Sequence, residues 1–161
     1  MRVDFHSLFG RYSQDVYRFA LYLSADPSLA EEITQETFVR AWVTPGEVRG
    51  GTVKTYLLTI ARNLYRAERK RSARHVALDS TLPDPRPDPE AVAWGRLELE
   101  AVLEALQGLP ETDRAALLMH AQDDLPYAAI ASALGLSTAA VKVRIHRARI
   151  KLRLLCEPKR G

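Results

Sequence analysis

Residues 142–153 read KVRIHRARIKLR, six Lys or Arg in twelve positions with Val, Ile, Ala and Leu recurring between them. Cations at this density suit a polyanion, and the interleaved apolar residues call for a helix packed beneath the charge. Val141, Ile145, Ala148, Leu152 and Leu155 succeed one another at spacings of 4, 3, 4 and 3, which makes one buried stripe. Basic flanks border it, with Arg144, Arg147 and Lys151 on one side and Lys142, His146, Arg149 and Arg153 on the other. A major groove accepts such a helix, with phosphates to both sides and base edges at the entering end. Ser137 suits the N-cap of this helix, Thr138 to Arg144 would read bases, and Arg147, Arg149, Lys151 and Arg153 would hold phosphates. A membrane-surface helix would offer Trp or Phe to lipid, and this one has no aromatic. A calmodulin target would leave its large anchors unpacked, whereas this stripe is needed against Ile130 and Leu134.

A second basic block lies in GGTVKTYLLTIARNLYRAERKR, residues 50–71. Val53, Tyr56, Leu57, Ile60, Ala61 and Leu64 are expected to pack, leaving Arg62, Arg66, Arg69 and Lys70 on the other side with Lys54 and Asn63 near the edge. Tyr56 and Tyr65 fall close to this basic surface. Cations beside aromatic and amide groups suit unpaired DNA, whose bases stack or enter pockets while the backbone follows the charge. Just upstream, DPSLAEEITQETFVRAW places Ala30, Ile33, Thr37, Phe38, Ala41 and Trp42 inward and Glu31, Glu32, Gln35 and Glu36 outward. An acidic, amide-bearing face suits a protein partner better than DNA.

The elements that must position these residues are all helical. Period-2 alternation is nearly absent, and the apolar spacing predicts helices over about 4–24, 28–43, 52–73, 89–107, 110–122, 126–133 and 138–155. Pro126 suits a first helical turn, and Gly135 the left-handed residue ahead of the next helix, so DLPYAAIASALGLSTAAVKVRIHRARIKL reads as a helix-turn-helix. The clearest break is LDSTLPDPRPDPE, residues 78–90, with prolines at 83, 85, 87 and 89. Alternate prolines forbid helix, so the chain divides into residues 1–75, an acidic spacer over 76–90, and residues 91–161. At ~3.1 Å per residue the spacer would reach about 45 Å, longer than the roughly 34 Å of one turn of B-DNA.

The 161 residues carry a net charge of +3, distributed as −2 over 1–44, +6 over 45–75, −8 over 76–125 and +7 over 126–161. Two separated basic blocks suggest two contacts on one polyanion, with acidic surfaces left for other partners. A single cysteine, Cys156, permits no internal disulfide and suits a reducing compartment. The N-terminal segment has no continuous apolar run, so a cytoplasmic location without membrane insertion is expected. No His/Cys cluster has metal spacing, and neither a phosphate-cradling Gly-rich loop nor a nucleophile–base set is found. The expectation is a protein that is not an enzyme and has no cofactor, metal or small-molecule substrate.

With these segments in view, the chain resembles an extracytoplasmic-function (ECF) sigma factor of bacterial RNA polymerase. The resemblance runs through AEEITQETFVRAW, TYLLTIARNLYRAERKR and LPETDRAALLMHAQDDLPYAAIASALGLSTAAVKVRIHRAR, in that order, and so covers almost the full length. It implies that Glu31, Glu32, Gln35, Glu36 and Phe38 dock on the clamp helices of core polymerase, whose flap is a further contact. It implies that the loop over 44–52 captures a flipped −10 base, at a few kcal/mol of unstacking. Lys54, Tyr56, Arg62, Asn63, Arg66, Arg69 and Lys70 would then contact opened −10 promoter DNA. Ser137, Thr138, Lys142, Arg144, Arg147, Arg149 and Lys151 would contact the −35 duplex. Asp79, Asp84 and Asp88 would lie in a segment threaded through polymerase channels, and an anti-sigma factor is implied as a partner. Ala67, Ala129, Ala139, Ala140 and Val143 depart from residues common in the family; Val143 replaces a hydroxyl with a methyl contact. The sequence ends soon after the last predicted helix, so no appended sensing domain is expected. Two other readings stay open: a stand-alone helix-turn-helix regulator with an N-terminal dimerisation domain, and a sigma-mimicking interaction protein.

Overall fold

The computed structural model describes residues 5–43, 52–78 and 94–156. Among them are seven α-helices and no strand: α1 (Phe5–Ser24), α2 (Pro27–Val43), α3 (Val53–Leu78), α4 (Trp94–Gln107), α5 (Glu111–Ala121), α6 (Tyr127–Leu134) and α7 (Thr138–Cys156). The all-helical expectation holds, with one shift of boundary: α3 continues to Leu78, into residues assigned to the spacer. The alternate prolines and most of the 44–52 loop lie outside the described residues.

Local chemistry explains the joints. Ala25 adopts a left-handed φ of 58° after α1, and the Asp26 carboxylate accepts from the N–H groups of Ser28 and Leu29, capping α2. The Thr52 hydroxyl accepts from the Thr55 N–H at the start of α3. Gly135 ends α6 at φ 68°, a conformation that strains any residue bearing a Cβ. The Ser137 hydroxyl then accepts from the Ala140 N–H and starts α7, as its sequence position predicted. Helices α6 and α7 meet at 97°, the angle of a helix-turn-helix.

In the first domain α1, α2 and α3 enclose Phe19, Leu23, Phe38, Leu57 and Leu58. In the second, α5, α6 and α7 enclose Met119, Ile130, Val141 and Ile145. The two domains are in contact, α1 with α4 and α5, and α3 with α6. The contact has a simple origin at the end of α1. The last carbonyls of a helix lack intrahelical donors and carry the negative end of its dipole. Gln107 donates to the carbonyls of Tyr22 and Leu23, and the Arg114 guanidinium donates to that of Leu23. Arg114 is buried, and it also donates to the carbonyls of Leu106 and Leu109 and to the Tyr65 hydroxyl. One side chain of the second domain thus ties α1 and α3 of the first.

Candidate nucleic-acid interface

On α7, Val141, Ile145 and Ala148 are buried and Leu152 is half-buried. The last member of the predicted stripe is a correction: Leu155 is 48% exposed, set beyond the buried part of the stripe and close to Gly108 at the end of α4. Lys142, Val143, His146, Arg149, Lys151 and Arg153 are exposed, as are Ser137 and Thr138 at the entering end. The flank formed by Lys142 rests on a stack: Lys142 Nζ lies 5.5 Å from the centre of the Tyr127 ring, which lies parallel to His120 at 4.8 Å. The opposite flank is held by a residue that sequence reasoning missed. Asp113, buried in the first turn of α5, accepts from Arg144 Nη1 at 2.9 Å and from Arg147 Nε at 3.2 Å and Nη2 at 3.4 Å. Arg144 is therefore half-buried, while Arg147 stays mostly exposed. An acid in a first helical turn is the one sequence signal that pointed to Asp113.

On α3 the buried side differs from the predicted one. Leu57, Leu58, Ala61 and Tyr65 are buried, whereas Val53, Tyr56, Ile60 and Leu64 are only half-buried. The reason is that α3 is covered on two sides, by α1 and α2 and by α6 of the second domain. Arg62, expected on the open surface, is 4% exposed. Its Nε and Nη2 each donate at 2.9 Å to the Glu111 carboxylate, and Nη2 also donates to the Thr112 hydroxyl. Tyr65, expected beside the basic surface, is a core residue whose hydroxyl accepts from Arg69 and Arg114. Asn63, Arg66, Arg69 and Lys70 are exposed, and Tyr56 and Asn63 line a shallow groove with Arg40 and Ile60.

Lys54 also turns toward the second domain, with Nζ 3.3 Å from Asp123 Oδ1 and 3.9 Å from Asp15 Oδ2. The Asp123 carboxylate is fully buried, and neither oxygen has a well-formed hydrogen bond. Burial pushes its pKa up from 3.8 to about 6, against the pull of Lys54. A carboxyl whose pKa is raised on folding supplies stability below its unfolded value and loses it as pH climbs through the folded one. Asp123→Asn is therefore expected to stabilise the protein by about 1–3 kcal/mol at pH 7.5. In urea unfolding across pH, that gain should vanish as pH falls to 4; a gain independent of pH would contradict the assignment.

On α2, Glu31, Glu32, Gln35 and Glu36 are exposed along one face, with Glu36 paired to Arg40 at 3.1 Å. Phe38 is 1% exposed, set edge-on against Phe5 and Phe9, so the inward place its spacing predicts holds, and its ring offers no free surface for the contact the resemblance implies. Trp42, expected inward, is 58% exposed near the end of α2, where the Phe5 ring meets it edge-on. Among the described residues no His, Cys, Asp and Glu group is placed to hold a metal, and no single helix is long and apolar enough to cross a membrane.

Two helical domains, the second presenting a capped, cation-bearing recognition helix, define a DNA-binding protein of the helix-turn-helix class. The sigma-70 region 2 family matches residues 8–75 and the sigma-70 region 4 family residues 99–152. The ECF RNA polymerase sigma factor SigL of Mycobacterium tuberculosis is 32% identical over 92% of this chain and 86% of its own length. The chain belongs to the ECF sigma-factor family. The ECF RNA polymerase sigma factor SigE of Mycolicibacterium smegmatis is 34% identical over 89% of this chain, which spans 58% of that relative's length. Among solved structures, the sigma factor RpoE of Bartonella quintana, in complex with the anti-sigma factor NepR, superposes with a TM-score of 0.82 at 26% identity. That match covers 98% of this chain and 99% of RpoE.

Proposed function

We propose that this chain is an alternative sigma factor that brings core RNA polymerase to particular promoters, reading −35 DNA as duplex and −10 DNA as an opened strand. The observation that carries the reading is the exposed cationic face of α7, set on a packed stripe in a chain matched by both sigma-70 regions. Residues 1–75 form the polymerase-binding and −10 domain, 76–90 the spacer, into which the end of α3 runs as far as Leu78, and 91–161 the −35 domain. The acidic face of α2 from Glu31 to Glu36 docks on polymerase, a role its exposure permits. Asn63, Arg66, Arg69 and Lys70 meet the opened strand from the exposed side of α3 together with Tyr56 in the groove beside Asn63, joined by Lys54 and Arg62 once their ion pairs part. The chain works in the cytoplasm and contributes no catalysis of its own, since bond formation belongs to the polymerase.

The pairing of Arg62 with Glu111 supplies a condition. A guanidinium held bidentately under α5 is not available to a nucleotide, so promoter opening requires α3 and α5 to part. A sequestering anti-sigma partner fits the same logic, because RpoE is seen with NepR and superposes over nearly the whole of this chain. In the test, the chain is added to bacterial core polymerase on a pool of genomic fragments, and all new transcript starts are mapped. Starts that depend on the chain and share paired −35 and −10 elements are expected. No new starts, together with protection of duplex DNA by the chain alone, would identify a stand-alone regulator instead.

A further inference from the structure

We propose that Asp113 is a positioning residue that sets the sequence specificity of α7, although it lies beneath the groove-facing surface. The inference rests on the reading of α7 as the −35 helix. Asp113 is 1% exposed and sits in the first turn of α5, where free N–H groups and the positive end of the helix dipole favour a carboxylate. A carboxylate offers about four lone-pair sites, enough to hold two guanidinium groups at once. Asp113 does so, with one donor from Arg144 and two from Arg147. These arginines are three residues apart on one flank of α7, and each keeps N–H groups beyond those given to Asp113.

Two consequences follow for a helix lying in a groove. Each arginine has a long, rotamer-rich side chain that, untethered, would find phosphates at many registers of the duplex. Tethered to a shared buried anion, each presents its remaining donors in one geometry, which suits base edges. The single negative charge also offsets one of the two positive charges. Binding to DNA of any sequence is thereby lowered while the directed contacts are retained. On the opposite flank Lys142, Arg149 and Arg153 have no buried acid of this kind among the described residues, so they suit register-tolerant phosphate contacts.

The test uses the full chain and two 25-base-pair duplexes: one enriched by the wild-type protein from a randomised pool, the other the same composition scrambled. Affinity for each is measured from 50 to 200 mM salt. Asp113→Asn should strengthen binding to the scrambled duplex and lower the enriched-to-scrambled ratio about tenfold, the scale of one bidentate base contact. Its salt slope should steepen by roughly one to two, since each added phosphate contact contributes ~0.9. Arg147→Lys, at an exposed side chain, keeps the charge but loses the fork, so the ratio should fall several-fold with the slope unchanged. Equal weakening on both duplexes, or an unchanged ratio, would overturn the proposal; if Asp113→Asn fails to fold by circular dichroism, the Arg147→Lys ratio decides. A wild-type chain that enriches no sequence would instead refute the assignment of α7.

Discussion

Arg114→Met is expected to destabilise the protein by about 3–5 kcal/mol, the largest single effect outside the apolar core, because it removes four buried hydrogen bonds from a charged donor, each contributing ~1.5–3 kcal/mol before other donors compensate. The guanidinium reaches three carbonyls and one hydroxyl, and it is sealed from water. Methionine would fill much of the volume but donate to none of them. The Leu109 carbonyl would then lose this donor, while that of Leu106 would keep the Leu109 N–H and that of Leu23 would keep Gln107. For a chain of this length each kcal/mol lowers Tm by roughly 2–4 °C, so a fall of about 10 °C is expected. Because Arg114 joins the domains, urea unfolding should also lose its single transition and resolve into two. Arg114→Lys should recover only part of the loss, since an ammonium cannot span the same acceptors. A Met variant that unfolds in one step within 1 kcal/mol of wild type would show that this residue does not hold the domains together.

The second large effect concerns function, and the sign separates two variants of one ion pair. Arg62→Ala and Glu111→Gln both remove the bidentate bridge between α3 and α5, so both should loosen the domain contact. Only Arg62→Ala deletes the cation that opened DNA would use. Strand opening by the assembled polymerase should therefore fall roughly 10- to 100-fold with Arg62→Ala, in keeping with ~1–3 kcal/mol for a specific contact. With Glu111→Gln it should hold or rise, because the closed arrangement loses its grip on Arg62 while Arg62 itself remains. The readout is the fluorescence of 2-aminopurine placed in the −10 element, which brightens on unstacking. A matching loss in both variants would mean that the bridge serves the fold and not promoter opening.

These two arginines also show where sequence reasoning reached its limit. Helix positions, the Gly135 and Ser137 joint and the packed stripe of α7 are local matters, governed by backbone preference and by spacing along one helix, and they were legible. Arg62 and Arg114 were not, since a charged residue at helical spacing reads as surface unless a partner is known. Arg62 finds Glu111 49 residues away, and across the domain contact Arg114 finds Tyr65 and Leu23, 49 and 91 residues away. The rotation of α3 has the same cause: a helix covered on two sides has no single polar face, so the period of 3.6 does not reveal which apolar residues lie deepest. Trp42 departs from the inward place expected of it, whereas Phe38 keeps its own. Both sit on the apolar side of α2; Phe5 and Phe9 close over Phe38, while among the described aromatic residues Phe5 meets Trp42. The exposed basic residues of α7 and the acidic face of α2 were read correctly as surface, because the helices packed on each of these two lie within its own domain, which leaves one face to solvent. Asp113 escaped notice for lack of a motif, being one acid in a turn that also holds Glu111.

The claim that one chain reads duplex and opened DNA through polymerase is tested most directly by permanganate reactivity of thymines on a mapped promoter. Core polymerase with the chain should make thymines reactive from the −10 element to the start site. Scrambling either element should abolish this, and neither component alone should produce it. Reactivity that persists after both elements are scrambled, or that core polymerase produces unaided, would contradict the account.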